Sequence, residues 1–266
     1  MSVLELETVD LRVEERVAWI VLNRPDALNA WTRQLGEDMH AALRHAADDS
    51  EVRAIVFTGA GRAFSSGADL KTPPELTDDG RPNVLNRLRD IYNPLLLDVR
   101  TVPKPVLAAV NGPAVGIGCS LALAADLIVA SESAYFLLAF VNIGLGLDGG
   151  ASATLAERVG HARAFEIAYL GERIPAPTAL DWGLINRVVP DDELPAAASE
   201  LAAKLAAGPP GSYANIKRAI NAHAYERFEA QLDLEAVLQQ DRAQSADFME
   251  GVLSFMQKRP PQFTGE

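Results

Sequence analysis

Apolar and polar residues alternate through LELETVDLRVEERVAWIVLNRP, with a break at Glu14–Arg16, and this period of two predicts a hairpin followed by a strand that stops at Pro25. From Trp31 to Ala47 the spacing becomes Trp31, Leu35, Met39, Leu43, the stripe of a helix. AIVFTG (54–59) is apolar throughout and predicts a buried strand that feeds the loop AGRAFSSGADLK. Residues 72–82, TPPELTDDGRP, hold three of the sixteen prolines and read as an irregular surface loop. A helix is expected near 83–99. The strand PVLAAVNG (105–112), the turn PAVGIG, the helix CSLALAAD, the strand LIVAS and a short strand SAYF follow. ASATLAERVG and HARAFEIAYLG predict consecutive helices, each stopped by a glycine, and LINRVV is a last strand. After Pro190 the pattern is helical, broken by GPPGS (208–212).

Strands thus alternate with helices to about residue 190, and an all-helical segment follows, which predicts an α/β core with a helical appendage. A chain of 266 residues can bury a sizeable core. With 48% hydrophobic and 23% charged residues, extensive disorder is not expected. The net charge of −12 and the lack of a Lys/Arg cluster argue against a nucleic-acid surface. Cys119 is the single cysteine, so no intramolecular disulfide forms. The first residues carry acids where a signal peptide carries bases, and the most apolar stretch, roughly 114–130, is interrupted by glycines, Ser120 and Asp126. A soluble, cytoplasmic protein with no membrane partner is expected.

GLGLDG (144–149) fits the dinucleotide pattern, but the region after it reads as helical and lacks the second strand that the pattern requires. The four histidines are scattered without metal-like spacing, so no metal site is expected; His40 and His45 read as solvated on one helix. Cys119 reads as a small buried residue rather than a nucleophile. Two glycine loops say more. FSSGAD (64–69) follows a strand, and VGIGCS (115–120) follows a strand and opens a helix. Each is either a tight turn or half of an oxyanion hole, in which two backbone N–H groups aim at one point. Asp148, set among glycines in NIGLGLDGGAS, is either the N-cap of the next helix or an acid held in a dry pocket.

LNRPDALNA (22–30), AFSSGADLK (63–71), KPVLAAVNGPAVGIGCSLALAADLIVAS (104–131), GLGLDGGAS (144–152) and WGLINRVV (182–189) resemble the enoyl-CoA hydratase/isomerase family, the crotonases, in order and at family spacing. The resemblance implies an α/β spiral of β-β-α turns over residues 1–190, and a C-terminal helical segment, 191–266, that assembles homotrimers or hexamers. It implies a coenzyme A thioester substrate and no permanently bound cofactor. The thioester oxygen would lie between the amides of Ala68 and Ile117, and Ser66, Asp69, Leu70 and Lys71 would line the coenzyme A channel. Phe255 and Lys258 would reach the nucleotide, often from a neighbouring subunit.

The family's hydratases carry two glutamates at positions that here hold Ser120 and Phe140, neither able to exchange a proton near neutral pH. Members that shift double bonds carry an aspartate where Asp148 lies. The leading reading is therefore an isomerase with Asp148 as base. Alternatives are an enoyl-CoA hydratase with atypical acids, direct attack on substrate by the carboxylate as in dehalogenase relatives, and a non-catalytic acyl-CoA-binding member.

Overall fold

The computed structural model describes residues 5–72, 75–78 and 80–266. The chain opens with the hairpin β1 (Val9–Glu14) and β2 (Val17–Leu22), paired antiparallel from Val9↔Leu22 to Glu14↔Val17. Glu15 and Arg16 both have positive φ (48° and 68°), which suits the twist of a two-residue hairpin turn. Helix α1 (Arg33–Asp48) follows, its first turn capped by Thr32, whose Oγ1 accepts from Leu35 N at 3.2 Å.

Strand β3 (Ala54–Gly59) matches the sequence reading and pairs parallel with β2. The expected helix at 83–99 is broken. Short α2 (Val84–Arg87) gives way to a wide turn over Leu88–Tyr92, where Asn93 N donates to Leu88 O, before α3 (Asn93–Thr101) resumes. Pro94 explains the break: it has no N–H for the carbonyl of Asp90.

Next come β4 (Val106–Val110), β5 (Ala114–Val115), α4 (Ile117–Ala124), β6 (Leu127–Ser131) and β7 (Tyr135–Leu137). Helix α5 (Ala151–Leu170) is two helices meeting at Gly160 (φ 72°, ψ 166°), as the two glycine-stopped runs predict. The pair β8 (Ile174–Pro175) and α6 (Ala176–Asp181) was not expected from the sequence, and β9 (Arg187–Val189) ends the strands. Four helices close the chain: α7 (Leu194–Ala207), α8 (Pro210–Ala224), α9 (Phe228–Ala243) and α10 (Ala246–Gln257).

The strands form a six-stranded sheet, β1-β2-β3-β4-β6-β9, parallel after the hairpin, and a three-stranded sheet, β5-β7-β8. Bridges from Trp31 to Ala68 and from Ser65 to Ala114 extend the second layer. The chain therefore repeats one step, from a long strand to a short second-layer segment to a helix, in β4-β5-α4 and again in β6-β7-α5. This is the spiral of β-β-α turns.

One face of the large sheet carries the main core, with Trp31, Phe57, Phe64 and Phe136 fully buried. On the other face, Leu194, Ala198, Leu201, Ala202 and Ala206 of α7 pack on Val17, Trp19, Val56, Leu107 and Val129. Residues after 190 thus begin by closing the sheet. Cys119 is buried, and burial pushes its thiol up to about 12. His40 is not freely solvated: it is half-buried, with Nε2 2.7 Å from Asp98 Oδ2. Among the described residues no helix is long and apolar enough to cross a membrane.

Candidate active site

The two glycine loops interlock. Ser65 N donates to Pro113 O and Val115 N to Ser65 O, both at 2.9 Å. A methyl group on Gly67 would lie 3.0 Å from Val115 O, so backbone meets backbone. Trp31 N donates to Gly67 O at 2.8 Å and Asp69 N to Trp31 O at 2.9 Å, pairing that uses the amides flanking Ala68 and leaves its own N–H out. Gly116, at φ 52° and ψ −126°, adopts a backbone that side chains avoid and turns the chain into α4. Ile117 is the first residue of that helix, where an amide has no intrahelical acceptor. Among the described residues neither Ala68 N nor Ile117 N donates to the protein. Two free amides on adjoining loops, one at a positive helix end, can hold an oxyanion.

Asp148 sits against these loops. Its neighbour Gly149 packs so closely on α4 that an added methyl would lie 2.8 Å from Ser120 Cβ and 2.9 Å from Ile117 Cδ1. Ser120 Oγ donates to the Asp148 carbonyl at 2.9 Å. The Asp148 side chain is buried (8% exposed). Gln239 Nε2 donates to Gly146 O at 2.7 Å and to Asp148 Oδ2 at 3.3 Å, while Asp148 Oδ1 has no partner. Burial, then the nearby charge of Glu235, hold this carboxyl well above the usual aspartate range, against the pull of the Gln239 bond.

Glu235 is the second carboxyl here, 3% exposed on the inner face of α9. Its Oε2 accepts from Gly150 N at 2.6 Å and its Oε1 from Ser152 N at 2.8 Å. Burial raises its pKa, and these bonds to the amides oppose the rise. The cap of α5 therefore comes from Glu235, and Asp148 makes no side-chain cap.

The segment 83–101 forms a third wall. Gln240 of α9 accepts from Val84 N at 2.9 Å and Leu85 N at 3.0 Å and donates to Pro82 O at 3.0 Å, holding the start of α2. Tyr92 is buried edge-on against Trp31, ring centroids 5.2 Å apart. Burial pushes its hydroxyl pKa up; nearby Arg87 pulls it down and Asp148 adds to the rise.

The structure brings Ala68, Ile117 and Asp148 into one neighbourhood. Ser66 and Asp69 flank Ala68: Ser66 N donates to Leu28 O, and Asp69 pairs with Arg24 at 3.2 Å and accepts from Lys71 N at 3.1 Å. Leu70 is half-buried and Lys71 exposed. Phe255 is 63% exposed, and Lys258 ends α10 with left-handed φ of 54°. Helix α10 packs through Gly251 on Ile143, and no hydrogen bond or ion pair among the described residues joins Phe255 or Lys258 to residues 63–71. Sequence reasoning missed Glu235, Gln239, Arg87 and Tyr92. Two polar residues four apart on the face shared with Phe228, Leu232 and Ala236 were the available signal on α9.

Comparison with known proteins gives the family and the fold. The family model described as enoyl-CoA hydratase/isomerase matches residues 12–266. A probable enoyl-CoA hydratase of Rhodobacter capsulatus is 45% identical over 261 residues, 97% of this chain and 98% of that protein. The 1,2-epoxyphenylacetyl-CoA isomerase of Escherichia coli K12 is 38% identical over 261 residues, covering 98% of this chain and 100% of its own. The crystal structure of an enoyl-CoA hydratase from Mycobacterium avium subsp. paratuberculosis K-10 superposes with a TM-score of 0.89 at 40% identity, covering 98% of this chain and 100% of that one.

Proposed function

The chain belongs to the enoyl-CoA hydratase/isomerase family, and from that premise we propose that it shifts a double bond along an acyl-CoA thioester with Asp148 as its one base. The amides of Ala68 and Ile117 hold the thioester oxygen. Asp148 takes the α proton of a 3-enoyl-CoA; the C–H electron pair moves into the conjugated enolate, whose negative oxygen the two amides stabilise. The protonated carboxyl then gives its proton to the γ carbon, and the double bond ends between α and β. Atoms and charge balance without water.

The observation that carries the reading is the contrast between the two buried carboxyls. Asp148 Oδ1 is unpartnered, whereas both oxygens of Glu235 are held by backbone amides. With Ser120 and Phe140 at the positions of the hydratase glutamates, one carboxylate is free for proton transfer where hydration needs two. The raised pKa makes Asp148 a stronger base, once ionised, than an exposed aspartate. The test is Asp148→Asn with 3-enoyl-CoA, products identified by mass spectrometry. A normal fold, retained thioester binding and turnover lower by about 10²–10⁴-fold support the base. Undiminished isomerisation refutes it.

We further propose that Ser66, Asp69, Leu70 and Lys71 line the coenzyme A channel, and that residues 191–266 assemble a trimer, alone or paired as a hexamer, in which Phe255 and Lys258 reach a neighbour's site. The apolar residues of α9 and α10 divide. Phe228, Leu232 and Phe248 pack on their own core, while Leu234, Val237, Leu238, Leu253 and Phe255 are exposed. Light scattering at micromolar concentration tests this, and a monomer overturns it.

A further inference from the structure

Unpaired buried polar atoms are concentrated in one place. Among the described residues they are Trp31 Nε1, Arg87 Nε, Tyr92 Oη, Asp148 Oδ1, Gln239 Oε1 and Arg100 Nε. Five of them form two neighbouring groups, Asp148 with Gln239 and Tyr92 with Trp31 and Arg87. Gln239 is bonded to Asp148, Tyr92 feels the charge of Asp148 and that of Arg87, and Trp31 packs on Tyr92. Folded chains pair nearly all such groups, because an unpaired one forfeits its bond to water without replacement. A cluster of them near a candidate base is a place where a bound molecule can supply the missing partners.

The chemistry of the cluster says what that partner is. The indole N–H of Trp31 and the guanidinium of Arg87 can only donate, and the Tyr92 hydroxyl can donate. Arg87 has no ion-pair partner among the described residues, and against these three groups that can donate stand two oxygens, Asp148 Oδ1 and Gln239 Oε1. The spare capacity is therefore mainly for donation. A hydrocarbon acyl chain would leave the Trp31 indole N–H unpaired, and Tyr92 and Arg87 with only each other.

We infer that the acyl group taken by this site carries an oxygen acceptor (hydroxyl, carbonyl, ether or carboxylate) that Tyr92 Oη, Arg87 and Trp31 Nε1 receive. This rests on the proposed acyl-CoA site but not on the proposed proton transfer. A hydroxyl would in addition donate to Gln239 Oε1. Tyr92 and Arg87 then set specificity, and the wall that carries them is held by Gln240 of α9.

The experiment measures binding with saturated thioesters, which contain no double bond to shift, so its outcome is independent of the role of Asp148. Hexanoyl-CoA is compared by titration calorimetry with chain-matched probes bearing a hydroxyl, a keto group or a carboxylate at successive positions. At least one oxygenated probe is expected to bind about tenfold or more tighter than hexanoyl-CoA, the discrimination that one buried hydrogen bond supports. Tyr92→Phe removes only the hydroxyl and Arg87→Met only the charged donor. Each should shrink that advantage, read as the ratio of the oxygenated probe's affinity to that of hexanoyl-CoA in the same variant. Hexanoyl-CoA binding as tightly as every oxygenated probe overturns the inference, as does an advantage that survives in both variants.

Discussion

Glu235 takes the helix cap that the sequence offers to Asp148. Its carboxylate reaches across 85 positions of chain to Gly150 N, and a second oxygen accepts from Ser152 N. The positive end of α5 is thus satisfied from outside its own strand-to-helix loop. Asp148 is left with one oxygen steadied by Gln239 and the other unpaired.

This division of labour makes the stability of Asp148→Asn informative. The folded-state pKa of Asp148 is raised, so its contribution is favourable below the unfolded value near 3.9 and is lost as pH rises through the folded value. At pH 8 the buried carboxylate weighs against the fold, and Asp148→Asn should raise Tm, each ~1 kcal/mol recovered showing as about 2–4 °C. The gain should fade as the pH is lowered below the raised pKa. A helix cap at this position would give a lower Tm instead, and calorimetric scans at two pH values separate the cases.

The charge of Glu235 raises the pKa of Asp148. Glu235→Gln removes that charge, so the ascending limb of the kcat/KM profile should move to lower pH. Glu235→Ala strands the buried amide of Gly150 and the half-buried amide of Ser152 and should cost roughly 1–3 kcal/mol in urea unfolding. A pH profile unchanged by Glu235→Gln would show that the two carboxyls are uncoupled.

Gln239 acts in the opposite sense, since its N–H favours the ionised form of Asp148. Gln239→Leu should move the same limb to higher pH and lower kcat by about tenfold to a hundredfold, the cost of a base no longer held in position. KM should change little. Loss confined to KM would mean that Gln239 contacts substrate and does not orient the base.

Ile117→Pro deletes one N–H at a first helical position that tolerates proline. If that amide holds the thioester oxygen, turnover should fall by about 10²–10³-fold, or 2.7–4 kcal/mol of transition-state stabilisation. Circular dichroism controls for lost packing of the buried side chain. Full turnover by a folded variant removes Ile117 from the site.

What the sequence disclosed followed from how local each cause was. AIVFTG and LIVAS were legible because fully buried parallel strands are apolar from end to end, and both spans came out unchanged. The pair β8–α6 was not, being a two-residue strand ending in Pro175 and a helix of six residues, too short for any period to register. The wide turn before Pro94 hid inside an otherwise helical stretch. In the site, the glycine loops and Asp148 were visible because each is a motif of a few adjacent residues. Glu235, Gln239 and Tyr92 belong to it only through tertiary packing, and in sequence they are an acid, an amide and an aromatic in ordinary helical surroundings.

The contact between Gly149 and Ser120 also bears on how this chain can change. Ser120 is fully buried, its Cβ pressed against the Gly149 backbone and its hydroxyl engaged by the Asp148 carbonyl. A glutamate at 120 would need room that Gly149 occupies, and making room would displace the neighbouring aspartate. Position 120 and the loop that carries Asp148 compete for the same volume. A larger side chain at 120 therefore cannot be introduced by one substitution alone; the loop from Asp148 to Gly150 would have to be rebuilt with it.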